Sequence, residues 1–461
     1  MVMGAGALRR DDAEWRAWIS LGVLIVFYVL AYVDRAMLPL LVEPIQADLG
    51  LNDIQIGVLQ GCAFSLIYGL TGLPMGWAAD RFSRRNIIFG GAVFWSISAT
   101  MCGLARNFGM LFLARSGVGA GESCLAPSAQ SLIATIFPRR KLAFALAVYG
   151  QSASLGGGLA LAIGGVSIAA LTAQGGLTVP VVGHLQPWQA MFFICGLAGL
   201  PLSALIFLVR EPRRVPASEG GEPPGTLREF VGILGRERRL VASHLIGFPA
   251  CALMIYAISA WTPAFLSRKF GLEVAQIGLI IGVLNAGFGA AGNMGVGLLA
   301  DWLVKRGVHD AYYRVQMAGI LIGAPAVAAA FLMPHPALTI ACLAVFECTL
   351  SAFGGISPAA LNLMVPNNAR AKLLAIYWLI MGLTGCAGPV IVATLTTFLF
   401  QDRTMVGGSV AILVAVISPI AFTALWIGRA PLARVVQARN EADRLATESS
   451  AGDSLDSPAA G

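Results

Sequence analysis

Long apolar stretches and short polar breaks alternate along the whole chain. The apolar stretches fall near residues 18–38, 54–79, 86–105, 108–136, 142–172, 188–209, 240–267, 274–303, 313–333, 337–365, 371–399 and 407–428. Each is about 20 residues or longer and lacks period-two alternation, which is what an α-helix needs to cross a hydrocarbon core of roughly 30 Å. Only helices and closed barrels satisfy their backbone groups in lipid, and a barrel needs alternating strands of about ten residues. The pattern therefore predicts an all-α polytopic membrane protein with twelve transmembrane helices. Its polar breaks delimit an N-terminal segment (1–17), a six-helix bundle (18–209), a linker (210–239) rich in Pro, Gly and Glu between Pro216 and Pro224, a second six-helix bundle (240–428) and a tail (429–461). The tail is rich in Ser, Ala and Asp and is expected to be disordered.

Composition agrees with this reading. Of 461 residues 57% are hydrophobic and only 12% charged, with a mean hydropathy of +0.76, whereas soluble proteins carry roughly 25% charged residues. The net charge of +7 implies no nucleic-acid partner, because the charges sit between helices. If the N-terminus lies inside, the outer loops hold only Arg106, Arg268, Lys269 and Arg403, helices hold Arg35 and Arg115, and every other Lys and Arg is cytoplasmic. Basic loops stay on the cytoplasmic side, so both termini are expected in the cytoplasm and the chain in the plasma (inner) membrane. The polar start, Met1 to Arg16, precedes a long span without a small-residue cleavage site, so no removable signal peptide is expected. Eight cysteines lie inside apolar runs without a C-x-x-C spacing, and they read as packing residues, not as metal ligands or disulfides. No metal or cofactor is expected.

The two bundles share a repeat. Leu49-Gly-Leu-Asn-Asp-Ile-Gln-Ile-Gly57 recurs as Phe270-Gly-Leu-Glu-Val-Ala-Gln-Ile-Gly278, an offset of 221. At the same offset Gly76-Trp-Ala-Ala-Asp80 matches Gly297-Leu-Leu-Ala-Asp301, and Arg84-Arg85 matches Lys305-Arg306. Parallel repeats of this kind are related by an axis along the membrane normal and hold substrate at their interface near midplane.

Ionised groups inside hydrocarbon cost at least about 2.5 kcal/mol each, so they should be paired and face a cavity. Asp34, Arg35, Arg115, Glu122 and Glu347 qualify. At 1.5 Å per residue, Asp34 lies about 24 Å above Trp18 and Arg115 about 10 Å below Phe108, which puts both at nearly one depth. Arg115 and Glu122 share a helix face two turns apart. Helix 4 is thus expected to offer Arg115 to Asp34 and to place Glu122 deeper, while Arg35 serves an anionic headgroup or snorkels outward. Tyr68, Tyr149, Tyr377 and Trp378 are candidates to line the cavity. Glu347 is either a substrate contact of the second half or a hydrogen-bonded neutral acid. Gly156-Gly-Gly158 and the glycines from Gly382 to Gly388 allow close helix approach where the halves must move.

The stretch Gly76-x-x-x-Asp80-Arg81-x-x-Arg84-Arg85 between helices 2 and 3 resembles the signature loop of the major facilitator superfamily, with Ser83 in place of a family glycine. Arg115-x-x-x-Gly119-x-Gly121 is similar to its second motif. Tyr32-Val-Asp34-Arg35, Arg115 through Glu122 followed by Ala126-Pro127, and Trp261-Thr-Pro263 resemble the spinster-like branch, in which Ala is usual at the position of Ser123. The resemblance implies a secondary active transporter with alternating access, and the branch's members export lysolipids and sphingoid lipids. In the gate motif Asp80 is expected to accept from backbone donors at a helix start, while Arg81, Arg84 and Arg85 bridge to carboxylates or helix ends in one conformer. Gly297, Asp301, Lys305 and Arg306 form its echo.

These residues together suggest proton-coupled movement of an amphiphilic or lipid-like solute by a monomer, with Asp34 and Glu122 as proton carriers and Arg115 as their counter-ion. A permanent ion pair locking helices 1 and 4 is the alternative for that cluster. Other functional readings are a proton symporter of a small organic anion clamped by Arg35 and Arg115, and a non-transporting receptor with a transporter fold. An amphiphile route predicts a cavity opening sideways to lipid between the halves. No enzyme is expected, because H-E-x-x-H, G-x-S-x-G and Walker sequences do not occur and the four His fall in loops or at helix ends.

Overall fold

The computed structural model of the chain describes residues 10–212, 227–365 and 367–455; the Pro/Gly/Glu stretch of the linker and both chain ends lie outside the described residues. Among the described residues, eleven helices are long and apolar enough to cross a membrane. The twelfth crossing is helix 4, which breaks into Phe108–Glu122 and Leu125–Ile136. Pro127 causes the break, because it has no N–H for the carbonyl of Ser123 one turn earlier.

The remaining helices follow the predicted order. Helix 1 runs Arg10–Leu40, helix 3 Arg84–Gly103, helix 5 Arg139–Ala173 and helix 6 Pro187–Ser203. In the second half, helix 7 is Arg238–Phe270, helix 9 Ala311–Leu332, helix 11 Asn367–Thr394 and helix 12 Val406–Leu455. Helix 10 joins Pro336–Cys348 to Phe353–Met364 through a short 3-10 turn. Helices 2 and 8 each widen into a π-turn, at Cys62–Leu66 and Leu284–Gly289. These positions nearly coincide at the repeat offset, so the repeat carries a backbone distortion as well as sequence, and such π-turns tend to sit at functional sites.

Three elements depart from the sequence reading. The loop between helices 5 and 6 folds into a small hairpin, Leu177–Val179 against Gly183–Leu185. The linker contains a helix, Leu227–Arg236, that packs on helix 11, with the Lys372 ammonium over the Phe230 ring. The tail, expected to be disordered from 429, instead continues helix 12 as far as Leu455, the rest lying outside the described residues. Leu432 and Val436, four residues apart, are buried, and Arg429 pairs with Asp310 at 2.7 Å. One apolar face and one ion pair suffice to extend the helix beyond the apolar run.

Helices within each half pack mainly on one another, and the halves meet along two seams, helix 2 on helix 11 and helix 5 on helix 8. Both seams are lined by glycine, which lets backbones touch. A Cβ at Gly61 would lie 2.4 Å from the carbonyl oxygen of Cys386, and one at Gly158 would lie 2.5 Å from that of Gly282. A larger residue at Gly61 has only backbone to push against. Gly61→Val is expected to destabilise the fold by about 1–3 kcal/mol, the usual cost of overpacking, read as a lowered thermal unfolding midpoint in detergent, whereas Gly76→Val, in open space, leaves the midpoint unchanged.

Candidate functional site

The buried charges of the first half come together between helices 1, 2 and 4. Arg35 Nε donates to Glu122 Oε2 at 2.7 Å, with the Glu122 side chain fully buried and that of Arg35 26% exposed. Arg115 Nη1 donates to the main-chain carbonyl of Asp34 at 3.1 Å. The pairing therefore differs from the one expected. Depth alone put Arg115 beside Asp34, but the partner of Glu122 is Arg35, and Arg115 holds the helix 1 backbone instead of the Asp34 carboxylate. The missing information was rotation: Asp34 and Arg35 point about 100° apart, and it is Arg35 that faces helix 4.

Aromatic faces complete the surroundings of Arg35. Its guanidinium lies 4.9 Å from the ring centres of Phe64 and Tyr68 and 5.2 Å from that of Tyr32. Tyr28 stacks on Tyr149 and meets Tyr32 edge-on. A weakly hydrated guanidinium is suited to such a cage. Several buried polar atoms of this region have no protein partner: Asp34 Oδ1, Glu122 Oε1, Arg115 Nε, the Tyr149 hydroxyl and the Gln60 amide. Buried polar groups are normally satisfied by protein or water, so these are the atoms through which the cluster could bond water or a further polar group. Across the seam, Tyr256 of helix 7 occupies the repeat position of Arg35 and is 37% exposed.

The other candidates are dispersed. Tyr377 is buried among helices of the second half, where its hydroxyl and that of Ser357 lie 2.7 Å apart, and it does not line an open cavity. Trp378 beside it is half-exposed. Glu347 accepts from the Ser351 hydroxyl at 3.0 Å, apart from the first-half cluster. His244, read from sequence as a helix-end residue, lies in the second turn of helix 7, fully enclosed between the hydroxyls of Tyr313 and Ser357 at 3.2 and 3.3 Å. An apolar groove of about 410 Å³ does open sideways, but between helices 1, 5 and 6 of the first half instead of between the halves; Val29 and Val33, next to Asp34, line it.

The gate motif is organised around a residue the sequence reading did not single out. Glu211, at the end of the first bundle, accepts from the Ser83 hydroxyl at 2.5 Å, from the Arg84 backbone N–H at 2.9 Å and from Arg84 Nε at 3.2 Å. It caps the start of helix 3. Ser83, which departs from the family pattern, also caps that helix by accepting from the Asn86 N–H. Arg84 Nη1 reaches the Ser131 carbonyl and the Thr135 hydroxyl at the end of helix 4, while Arg81 and Arg85 lie over Trp77 and Phe207. The echo is partial: Asp301 accepts from the Tyr312 hydroxyl at 3.4 Å and Arg306 lies over Trp302, with Lys305 exposed.

Two cross-half features were also missed. At the face away from the termini, Arg268 of helix 7 binds Glu43 at 2.7 Å and Asp53 at 2.8 Å, and Arg403 reaches Asp53 at 3.4 Å. The duplicated turn containing Asp53 was a signal, but its partner lies more than 200 residues away. In addition, Cys62 and Cys386, expected to be packing residues, form a disulfide between helices 2 and 11. The glycine seam brings their Cα atoms to 4.2 Å. On the opposite side the seams loosen: the first segment of helix 8 lies along helix 5, its last segment barely touches it, and Gly72, Gly76 and Gly297 face open space. The halves are thus closed at the far face and splayed towards the termini.

Two outcomes follow from this geometry. Arg35→Ala leaves the Glu122 carboxylate buried without its cation, so a loss of about 3–5 kcal/mol is expected; Arg35→Met with Glu122→Gln removes both charges and recovers most of the thermal midpoint. For Glu211, burial works to raise the carboxyl, but hydrogen bonds from Ser83, Arg84 and Arg85 outweigh it and hold the group below its ordinary value of 4.5. A depressed folded value contributes stability in full above the unfolded value and loses it as pH falls through the folded one. The thermal midpoint gap between wild type and Glu211→Gln should therefore stay constant above about pH 5.5 and close below 4.5; a gap that widens on acidification contradicts this.

Comparison with known proteins fits this arrangement. The sequence model of the Major Facilitator Superfamily matches residues 24–389. An MFS-type efflux pump of Mycolicibacterium smegmatis is 28% identical over 417 residues, 90% of this chain and 93% of its own length. A probable L-galactonate transporter of Escherichia coli is 27% identical over 301 residues, 62% of each chain. Among solved structures, a bacterial homologue of the human lysosomal transporter spinster, in an inward-facing and unoccupied conformation, superposes with a TM-score of 0.71 at 24% identity, covering 94% of this chain and 98% of that one. With most of its helices inside the family match and both signature motifs in place, the chain is a membrane transporter of the Major Facilitator Superfamily.

Proposed function

We propose that this transporter works by proton-coupled alternating access on an amphiphilic, lipid-like solute with an anionic headgroup, as a monomer in the plasma membrane with both termini in the cytoplasm. The observation that carries the reading is the Arg35–Glu122 pair in its aromatic cage, partly open to the space between the halves. An anionic headgroup competes with Glu122 for the Arg35 guanidinium. Once displaced, Glu122 loses the cation it is bonded to and takes a proton, because an unpaired carboxylate there is costly. Headgroup and proton thus occupy the site together. Asp34, with one carboxylate oxygen unpartnered, is the second proton carrier, and Arg115 fixes the backbone that positions it.

The basic loops on the termini face support a cytoplasmic placement, which makes the conformation described here open to the cytoplasm. The ion pairs of Arg268 then form the outer latch that must open in the other half of the cycle. The apolar groove beside Val29 and Val33 supports an amphiphile, since it offers an acyl chain a place within reach of the charged cluster. A small organic anion is the second reading, favoured by the two arginines at one depth and by the likeness to a probable galactonate transporter.

Thermal stabilisation by lysophospholipids against sugar acids separates these readings. Flux of the stabilising compound into proteoliposomes then tests coupling. Accumulation driven by a pH gradient is expected in wild type and abolished in Glu122→Gln and Asp34→Asn, with downhill exchange retained. Gradient-driven accumulation that survives both substitutions would sink the coupling scheme.

A further inference from the structure

A covalent bridge crosses the boundary at which the two halves have to part. Cys62 opens the π-turn of helix 2, and Cys386 lies in the glycine-rich run of helix 11, 324 residues later. At 1.5 Å per residue, Cys62 is about 13 Å below Asp53 at the outer latch and about 10 Å above Gly69, where helix 2 still touches Gly382. The bridge is therefore inside the closed seam. Opening the far face, on the alternating-access reading this inference rests on, requires Gly57 and Gly61 to leave Pro389 and Cys386, and an intact S–S bond forbids that separation. The remaining cysteines, Cys102, Cys124, Cys195, Cys251, Cys342 and Cys348, are free thiols, and both bridged residues are half-buried instead of sealed.

We propose that Cys62 and Cys386 are a reversible redox modification site: the disulfide pins the transporter with its far face closed, and reduction releases it to cycle. Reduction is thiol–disulfide exchange with a dithiol. One thiolate of the dithiol attacks a sulfur of the bridge, forming a mixed disulfide and freeing the other cysteine; the second thiolate then displaces the protein sulfur. The dithiol leaves as its own disulfide and the protein gains two thiols, so two electrons and two protons are transferred. A disulfide-bearing oxidant closes the bridge by the reverse sequence. Half-burial of both residues leaves the bridge open to a small dithiol.

The full chain, carrying a protease site inserted between Pro216 and Pro224 and held in lipid nanodiscs, tests this. After cutting, the halves should stay together on a non-reducing denaturing gel and separate with dithiothreitol, or without it in Cys62→Ser and in Cys386→Ser. Hydrogen exchange of the far-face segments 49–57 and 270–278 should speed up about tenfold on reduction, and the serine variants should match the reduced protein with or without dithiothreitol. Arg268→Ala, which removes the latch, should speed the same segments when the bridge is reduced. Halves that separate without reductant overturn the bridge. If the bridge is present and exchange responds to Arg268→Ala but not to reduction, the redox lock is wrong and alternating access stands; if exchange responds to neither, the alternating-access reading falls with it.

Discussion

A carboxylate in lipid must have a partner, and the architecture of the first half follows from giving Glu122 one. Its side chain is fully enclosed, and the Arg35 guanidinium, 2.7 Å away, is the cation it is bonded to. Water cannot take its place in the hydrocarbon region, so helices 1 and 4 are fixed in rotation as well as in contact. Pro127 breaks helix 4 just beyond Glu122, and the glycines at 119 and 121 admit helix 2 and helix 3 backbones against it. The aromatic rings of Tyr32, Phe64 and Tyr68 then surround the cation on the side the carboxylate leaves open. A buried pair of this kind adds little net stability. Its value lies in being exchangeable: whatever anion takes Arg35 changes the charge that Glu122 can carry.

The seams between the halves obey a different rule. Apart from the Cys62–Cys386 bridge and a few hydrogen bonds such as Gln151 to the Ala290 carbonyl, they are built in the middle from glycine, which lets helix 2 lie on helix 11 and helix 5 on helix 8. Specificity for the closed far face comes from the rim. Arg268 and Arg403 converge on Asp53, with Gln46 donating to the same carboxylate at 2.8 Å. Flat contacts with charged rims can part and re-form without stripping large apolar surfaces, as two rocking bundles must. The gate motif, in contrast, is engaged here within the first half, where Glu211 ties the end of the bundle to the start of helix 3.

What was legible in the sequence is what local pattern encodes. Twelve crossings, the repeat and the four charged residues of helices 1 and 4 follow from apolar length, self-similarity and the cost of charge in lipid. Partner choice does not, because it depends on rotation of one helix against another. Depth placed Asp34 level with Arg115 correctly enough for contact, yet the contact is to a carbonyl, and a 100° turn decides that Arg35 takes Glu122. The Cys62–Cys386 bridge and the Arg268 latch join residues hundreds of positions apart, with no spacing to betray them. The helical tail was missed for a simpler reason: Leu432 and Val436 are too few to register as an apolar run, but they are enough when a helix already delivers them to a surface.

The repeat makes the two halves alike in backbone and unlike in chemistry. The π-turns of helices 2 and 8 nearly coincide under the 221-residue offset, and glycine lines both seams, so the moving parts are duplicated. Where the first half has Asp34 and Arg35, the second has Ile255 and Tyr256, while Glu347 at the break of helix 10 is placed much as Glu122 is at the break of helix 4. Several buried polar groups of the second half are paired with one another, in the chain from Tyr313 through His244 and Ser357 to Tyr377. Such an internally satisfied chain holds its shape, while orphaned oxygens and an exchangeable ion pair respond to what binds. Duplication thus supplied a symmetric hinge, and divergence placed the Arg35–Glu122 pair on one side of it.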